Sequence, residues 1–239
     1  MRKQFSRLQP LIKGKAELIF VDGPLPVEDD NPMLESQLRF FSNLTAKDFR
    51  SYANWVKDDA NSRDAAVLSA ELQARYPDSE ELLAYLQAHP EERTNSSPLR
   101  QYQDLEAALA FLQEQLRSNA PVDGVVGFSQ GANFASLLAA QAVAGQGENF
   151  AFVVHICPAR PGWVAQRPEL FKEPLPMRSL HISGEKDMVN PVHPLVPLYE
   201  EASCTSMMHD DGHRPIPGTS SVEASRIAKA IVDFALAKQ

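Results

Sequence analysis

The sequence predicts an α/β protein of three layers, with helices on both faces of a mostly parallel sheet. Three observations carry this. Short apolar runs bounded by turn residues recur along the chain, amphipathic helical patterns separate them, and one long stretch of helical patterns without strand-like runs reads as an insertion.

The strand candidates begin with AELIFVD (16–22), which ends in Asp22-Gly23-Pro24 and reads as a buried strand. GVVGFS (124–129), FAFVVHIC (150–157) and RSLHISG (178–184) repeat the pattern, and TSMMH (205–209) is a weaker fifth. Between them, Leu105, Leu109, Leu112 and Leu116 share one face of a helix that starts near Tyr102, while Phe134, Leu137 and Leu138 mark a helix directly after GFSQG. Ser220 and Glu223 have capping-box spacing ahead of Ile227, Ile231 and Phe234. The chain is expected to form one domain over 1–239, with a helical, lid-like insertion at about 43–98. Within the insertion, Thr45 and Asp48 begin a pattern carrying Phe49, Tyr52 and Val56. A second follows Asp64 with Val67, Leu68 and Leu72, and Asp78 caps a third with Leu82, Leu83 and Leu86. Residues 91–98 read as an exposed connector.

Composition excludes several classes of function. A net charge of -8 without any cluster of Lys and Arg argues against a nucleic-acid partner, because phosphate binding needs a basic face. Cys157 and Cys204 have no metal-ligand spacing and make no disulfide framework, so no zinc site is expected. The N-terminal MRKQFSRLQPLIKGK lacks the apolar core of a signal peptide, and no run is long enough for a membrane span. A cytoplasmic location is the default expectation, and the oligomeric state is left open.

The chemistry centres on Gly127-Phe128-Ser129-Gln130-Gly131, a G-x-S-x-G pattern between an apolar strand and an amphipathic helix. A serine on so sharp a turn is lifted out of the sheet, but it needs a base, and a third group to hold that base in one tautomer. In this fold the order is Ser, acid, His. His213, in the turn-rich Asp211-Gly212-His213-Arg214-Pro215, therefore reads as the base, and Asp187, after the strand RSLHIS, as the acid. Glu185 is the alternative acid. His193, in a Pro-Val-His-Pro setting that suits a surface loop, and His209 are rival bases, while His155 and His181 lie inside strand patterns and read as structural. Asp210 and Asp211 are expected to shape the loop of His213. The backbone N–H of Gln130 is the expected oxyanion donor. Cys157, at the end of a strand, reads as a small core residue or a border of the pocket.

With GFSQG, GEKD and DGH in this order, the chain resembles the FSH family of serine hydrolases, which have a compact α/β-hydrolase fold. AELIFVDGP resembles that family's second core strand, and YQDLEAALAFLQEQL the helix before the elbow. The resemblance implies an esterase or thioesterase-like hydrolase of small acyl substrates without a cofactor, and it carries the triad roles onto Ser129, Asp187 and His213. One departure is large, since the family's opening strand, with its Leu-His-Gly-Phe-like loop, has no counterpart ahead of AELIFVD. That implies a central gap in the sheet and a half-built oxyanion hole, at a cost in rate on the order of 10² to 10³. A second departure is the long helical stretch at 43–98, where Trp55 stands for the family's tryptophan-bearing segment and the region is expected to select the substrate. The rival reading is a non-catalytic binding protein that keeps the scaffold.

Overall fold

The computed structural model describes residues 5, 9–26, 50–56, 60–187, 193–218 and 220–237, the side chain of Ser79 apart. In chain order the helices are α1 (Gln9–Ile12), α2 (Ala60–Arg75), α3 (Ser79–Ala88), α4 (Pro90–Ser96), α5 (Leu105–Ser118), α6 (Gln130–Val143) and α7 (Ser221–Leu236). The strands are β1 (Leu25–Pro26), β2 (Arg50–Ser51), β3 (Gly124–Phe128), β4 (Phe152–Ile156), β5 (Arg178–Gly184) and β6 (Cys204–His209). β3 to β6 form one parallel sheet in that order, and β1 and β2 make a separate antiparallel pair. No helix among the described residues is long and apolar enough to cross a membrane.

Side-chain alternation along the strands divides the core into two layers. Phe152, Val154 and Ile156 of β4, with Leu180 and Ile182 of β5, face Ile227, Ala228 and Ile231 of α7 and Ile12 of α1. Val153 faces the other way, onto Ala135, Ala139 and Ala140 of α6. These alanines let α6 lie close to the sheet, while Phe134, Leu137 and Leu138 meet Leu105, Leu109 and Leu112 of α5 on its outer side. A helix apolar on every face must be covered on every face, which is why α6 sits in the middle. Each fully buried Ile or Leu here contributes roughly 1.5–3 kcal/mol. α7 starts where expected, with Ser220 Oγ accepting from Glu223 N at 3.0 Å. The Glu223 carboxylate pairs with Arg226, its partner one turn along the helix.

Three expectations are corrected. AELIFVD is not a strand, because residues 16–23 carry no regular secondary structure and Ile19 is half exposed. A strand needs a neighbour to pair with, and here the neighbour is a cavity of about 1030 Å³ between this segment and β3, lined by Leu18, Val21, Val125, Val126, Phe134 and Leu138. Second, Tyr52–Val56 are not helical, and Tyr52 follows β2 directly; the rest of the pattern begun at Thr45 and Asp48 lies outside the described residues. Third, 91–98 is no exposed connector, since Pro90 starts α4 and Arg93 and Ser97 are buried. The two other helices of the insertion form as read, with α2 beginning at Ala60, ahead of Asp64, and Asp78 accepting from Glu80 N and Glu81 N to cap α3.

The open edge has a measurable signature. Asp123 O accepts from Ala151 N, so by strand alternation the backbone groups of Val125 and Gly127 point to β4, and those of Gly124 and Val126, which line the cavity, point away from it. Amide hydrogen exchange followed by NMR should show Gly124 and Val126 exchanging at least about tenfold faster than Val125 and Gly127. Equal protection along β3 would mean that the edge is covered.

Candidate active site

The elbow forms where β3 meets α6. Ser129 has φ 54°, a left-handed value that a non-glycine residue adopts only under constraint. The constraint is visible on both sides, as Ser129 N donates to Ile156 O at 2.9 Å and Ala132 N donates to Ser129 O at 3.0 Å. The turn is also tight enough that a Cβ on Gly127 would lie 2.3 Å from Gly131 O, so only glycine fits there. Together these constraints hold the Ser129 hydroxyl at the carboxyl end of the sheet.

His213 and Asp187 meet it there. His213 Nε2 lies 3.0 Å from Ser129 Oγ, and His213 Nδ1 lies 2.9 Å from Asp187 Oδ2. With the proton on Nδ1, the imidazole donates to the carboxylate and its Nε2 lone pair accepts from the serine hydroxyl. Asp187 is fully buried, whereas the His213 side chain is 21% exposed, so the carboxylate is shielded from solvent while the imidazole is partly open to it. Phe128 supports the ring, with centroids 5.0 Å apart.

The loop of His213 is braced by Asp211, one of the two residues expected to shape it. Asp211 accepts from Gly212 N at 2.8 Å and Gly218 N at 2.7 Å. Burial alone would raise its pKa, but these N–H bonds and Arg214 bring it below the usual carboxylate range. His209 Nε2–H donates to Arg214 O at 3.1 Å while its Nδ1 accepts from Asp211 N at 3.2 Å, which makes this rival base a strut of the loop. Burial lowers its pKa, which suits the neutral form. Glu185, the rival acid, is exposed in the turn before Asp187. His193 is not on the surface but buried, 3.2 Å from His181.

Gln130 opens α6, so its backbone N–H has no acceptor within the helix and is placed to receive an oxyanion. Its side chain is occupied elsewhere, with Oε1 accepting from Tyr52 N and Ser51 Oγ, both at 3.0 Å, and Nε2 donating to Ala53 O at 2.7 Å. This clamp fastens residues 51–53 to the elbow helix.

Two residues at the site escaped the sequence reading of roles. Arg93, from α4 of the insertion, is buried and donates through Nη2 to the backbone carbonyl of Asp187. Arg160 Nη1 fastens the end of the same helix through Thr94 O at 2.8 Å and Ser97 O at 2.7 Å. The insertion is therefore tied directly to the acid's loop. Cys157 follows β4 directly with φ 46° and is 1% exposed, its thiol against Asp187 and 3.7 Å from Arg214 O. Burial and the neighbouring carboxylate push its pKa well above the usual thiol value, so it is a thiol and not a nucleophile.

A parallel sheet flanked by helices, with a serine on a strained turn after its first strand, is an α/β-hydrolase-like fold. The model of the family described as Serine hydrolase (FSH1) matches residues 1–224, and the chain belongs to that family. Human Esterase OVCA2 is 27% identical over 216 residues, covering 89% of this chain and 81% of that protein. Esterase FUS5 of Gibberella moniliformis is 27% identical over 188 residues, covering 78% of this chain and 60% of its own length. A solved Pyrococcus furiosus esterase aligns with 60% of this chain and 71% of its own at a TM-score of 0.39 and 16% identity.

Proposed function

We propose that this chain hydrolyses carboxylic esters, and thioesters of the same acyl groups, through an acyl-enzyme on Ser129. The observation that carries the reading is the continuous hydrogen-bonded line from Asp187 through His213 to Ser129, at 2.9 and 3.0 Å. Attack of Ser129 Oγ on the acyl carbonyl would send the serine proton to His213 Nε2, and Asp187 would stabilise the resulting imidazolium. The carbonyl oxygen, now an anion, would accept from Gln130 N–H. Collapse expels the alcohol or thiol with the proton from His213. A water deprotonated by the same nitrogen then releases the acid and restores the hydroxyl. The esterase names of the relatives support this substrate class.

One observation favours a second reading, a hydrolase-fold binding protein of impaired turnover. β3 borders the cavity, and among the described residues Gln130 is the one oxyanion donor identified. Reaction of the folded protein with a fluorophosphonate probe, followed by proteolysis and mass spectrometry, separates the two. An adduct on the peptide bearing Ser129 is expected; a folded protein without adduct would leave the binding-protein reading standing.

A further inference from the structure

We propose that Cys157, Asp187 and His213 form an inhibitory site for a thiophilic divalent cation of the zinc type. The proposal adds regulation to the site read above as catalytic, and it rests on that reading only for its effect on turnover. The three residues each offer one donor atom, namely Sγ, a carboxylate oxygen and an imidazole nitrogen, and these atoms all lie within 4.8 Å of one another; Nδ1 is the His213 nitrogen that faces Asp187, at 2.9 Å. A tetrahedral zinc with bonds of about 2.0–2.3 Å holds its ligand atoms about 3.3–3.6 Å apart. The His213–Asp187 pair, now at 2.9 Å, would open by about half an ångström, and the thiol would close in by at most about 1.5 Å. A mixed sulfur, nitrogen and oxygen set is what zinc, cadmium and cobalt(II) select over magnesium or calcium. With Cys157 and Asp187 buried, the cation enters past the ring of His213, the exposed member, and a water fills the fourth position.

The consequence for the base follows from proton positions. On binding, the Cys157 thiol loses its proton to solvent, and the metal takes the Nδ1 lone pair. The neutral imidazole must then carry its proton on Nε2, the nitrogen that faces Ser129 Oγ. A nitrogen that holds a proton cannot accept one from the serine. Inhibition therefore needs no displacement of Ser129, and a chelator reverses it.

Two measurements test this. The first is a cobalt(II) titration of the Ser129→Ala protein, read by thiolate-to-cobalt charge-transfer absorption. The band is expected in Ser129→Ala, lost on adding Cys157→Ser, and weakened at least about tenfold in affinity on adding His213→Ala, a loop change whose folded state is checked by its thermal melt. No band from a folded protein, a band that survives Cys157→Ser because Cys204 is then the ligand, or a band whose affinity ignores His213→Ala, overturns the proposal. The second is the rate of fluorophosphonate labelling with and without micromolar zinc chloride. A slowing of about tenfold or more is expected in wild type, and less than about twofold in Cys157→Ala relative to its own zinc-free rate. Equal slowing in the two overturns the proposal. If wild type does not label at all, the hydrolase reading fails while the cobalt titration still decides the metal site.

Discussion

Replacing Asp187 with asparagine should lower ester turnover and the rate of fluorophosphonate labelling by about 10⁴, and Ser129→Ala should lower turnover by about 10⁶. The difference reflects what each atom does. Without Oγ there is no nucleophile, and what survives comes from binding and from the N–H of Gln130. In Asp187→Asn the nucleophile remains, but the amide can turn its NH₂ toward His213 Nδ1. The imidazole then places its proton on Nε2, 3.0 Å from Ser129 Oγ, and the base is blocked. A second effect accompanies the first. Arg93 is buried beside Asp187, whose charge raises its pKa while burial, the larger influence, lowers it. Neutralising Asp187 leaves that guanidinium without its nearest counter-charge, so the thermal midpoint of Asp187→Asn should fall while that of Ser129→Ala stays close to wild type. Rates and melts of the two variants check this together. An Asp187→Asn protein that labels within tenfold of wild type would remove Asp187 from the mechanism.

The elbow was legible because its cause is local. Gly127 and Gly131 flank Ser129 between a strand and a helix, and at Gly127 the turn is too tight for any side chain. His213 and Asp187 were legible through chain order and through their places after β6 and β5. What escaped depends on residues distant in sequence. AELIFVD has the composition of a strand, but pairing belongs to two segments, and on the side of β3 that would serve it there is a cavity. Arg93 sits among charged neighbours that read as solvated, and only the docking of α4 against the acid's loop buries it. His193 between prolines suggested a rigid surface turn, yet its partners His155 and His181 lie on strands reached through other parts of the chain. Burial of a polar residue is a tertiary fact, and no periodicity announces it.

Those three histidines lead to the other large expected effect, a loss of stability in mild acid. On the α6 side of the sheet, His155 Nδ1–H donates to Ala132 O at 3.1 Å and its Nε2 accepts from Tyr199 at 2.7 Å. His193 Nε2–H donates to His155 O at 3.2 Å, its Nδ1 accepts from His181 Nδ1–H at 3.2 Å, and His181 Nε2 accepts from Ser179 Oγ at 2.9 Å. Every ring is satisfied as a neutral tautomer. Protonating His193 would set two N–H groups against each other. Burial lowers all three pKa values, to about 3 for His181, and the mutual repulsion of the rings lowers those of His155 and His193 further. In the unfolded chain each titrates near 6.5. Above that value both states are neutral and the contribution is fully present. As the pH falls below it, the unfolded chain takes up protons that the native state refuses, so stability declines from about pH 6.5 toward the depressed folded values. With up to three protons in play the slope reaches roughly 4 kcal/mol per pH unit, a large share of the ~5–15 kcal/mol that holds a typical domain together. Urea unfolding at pH 7.5 and 5.5 should therefore differ by about 4 kcal/mol, and removing one ring with His193→Asn should reduce that difference by about a third. A stability unchanged between the two pH values would show that the cluster takes up protons without unfolding.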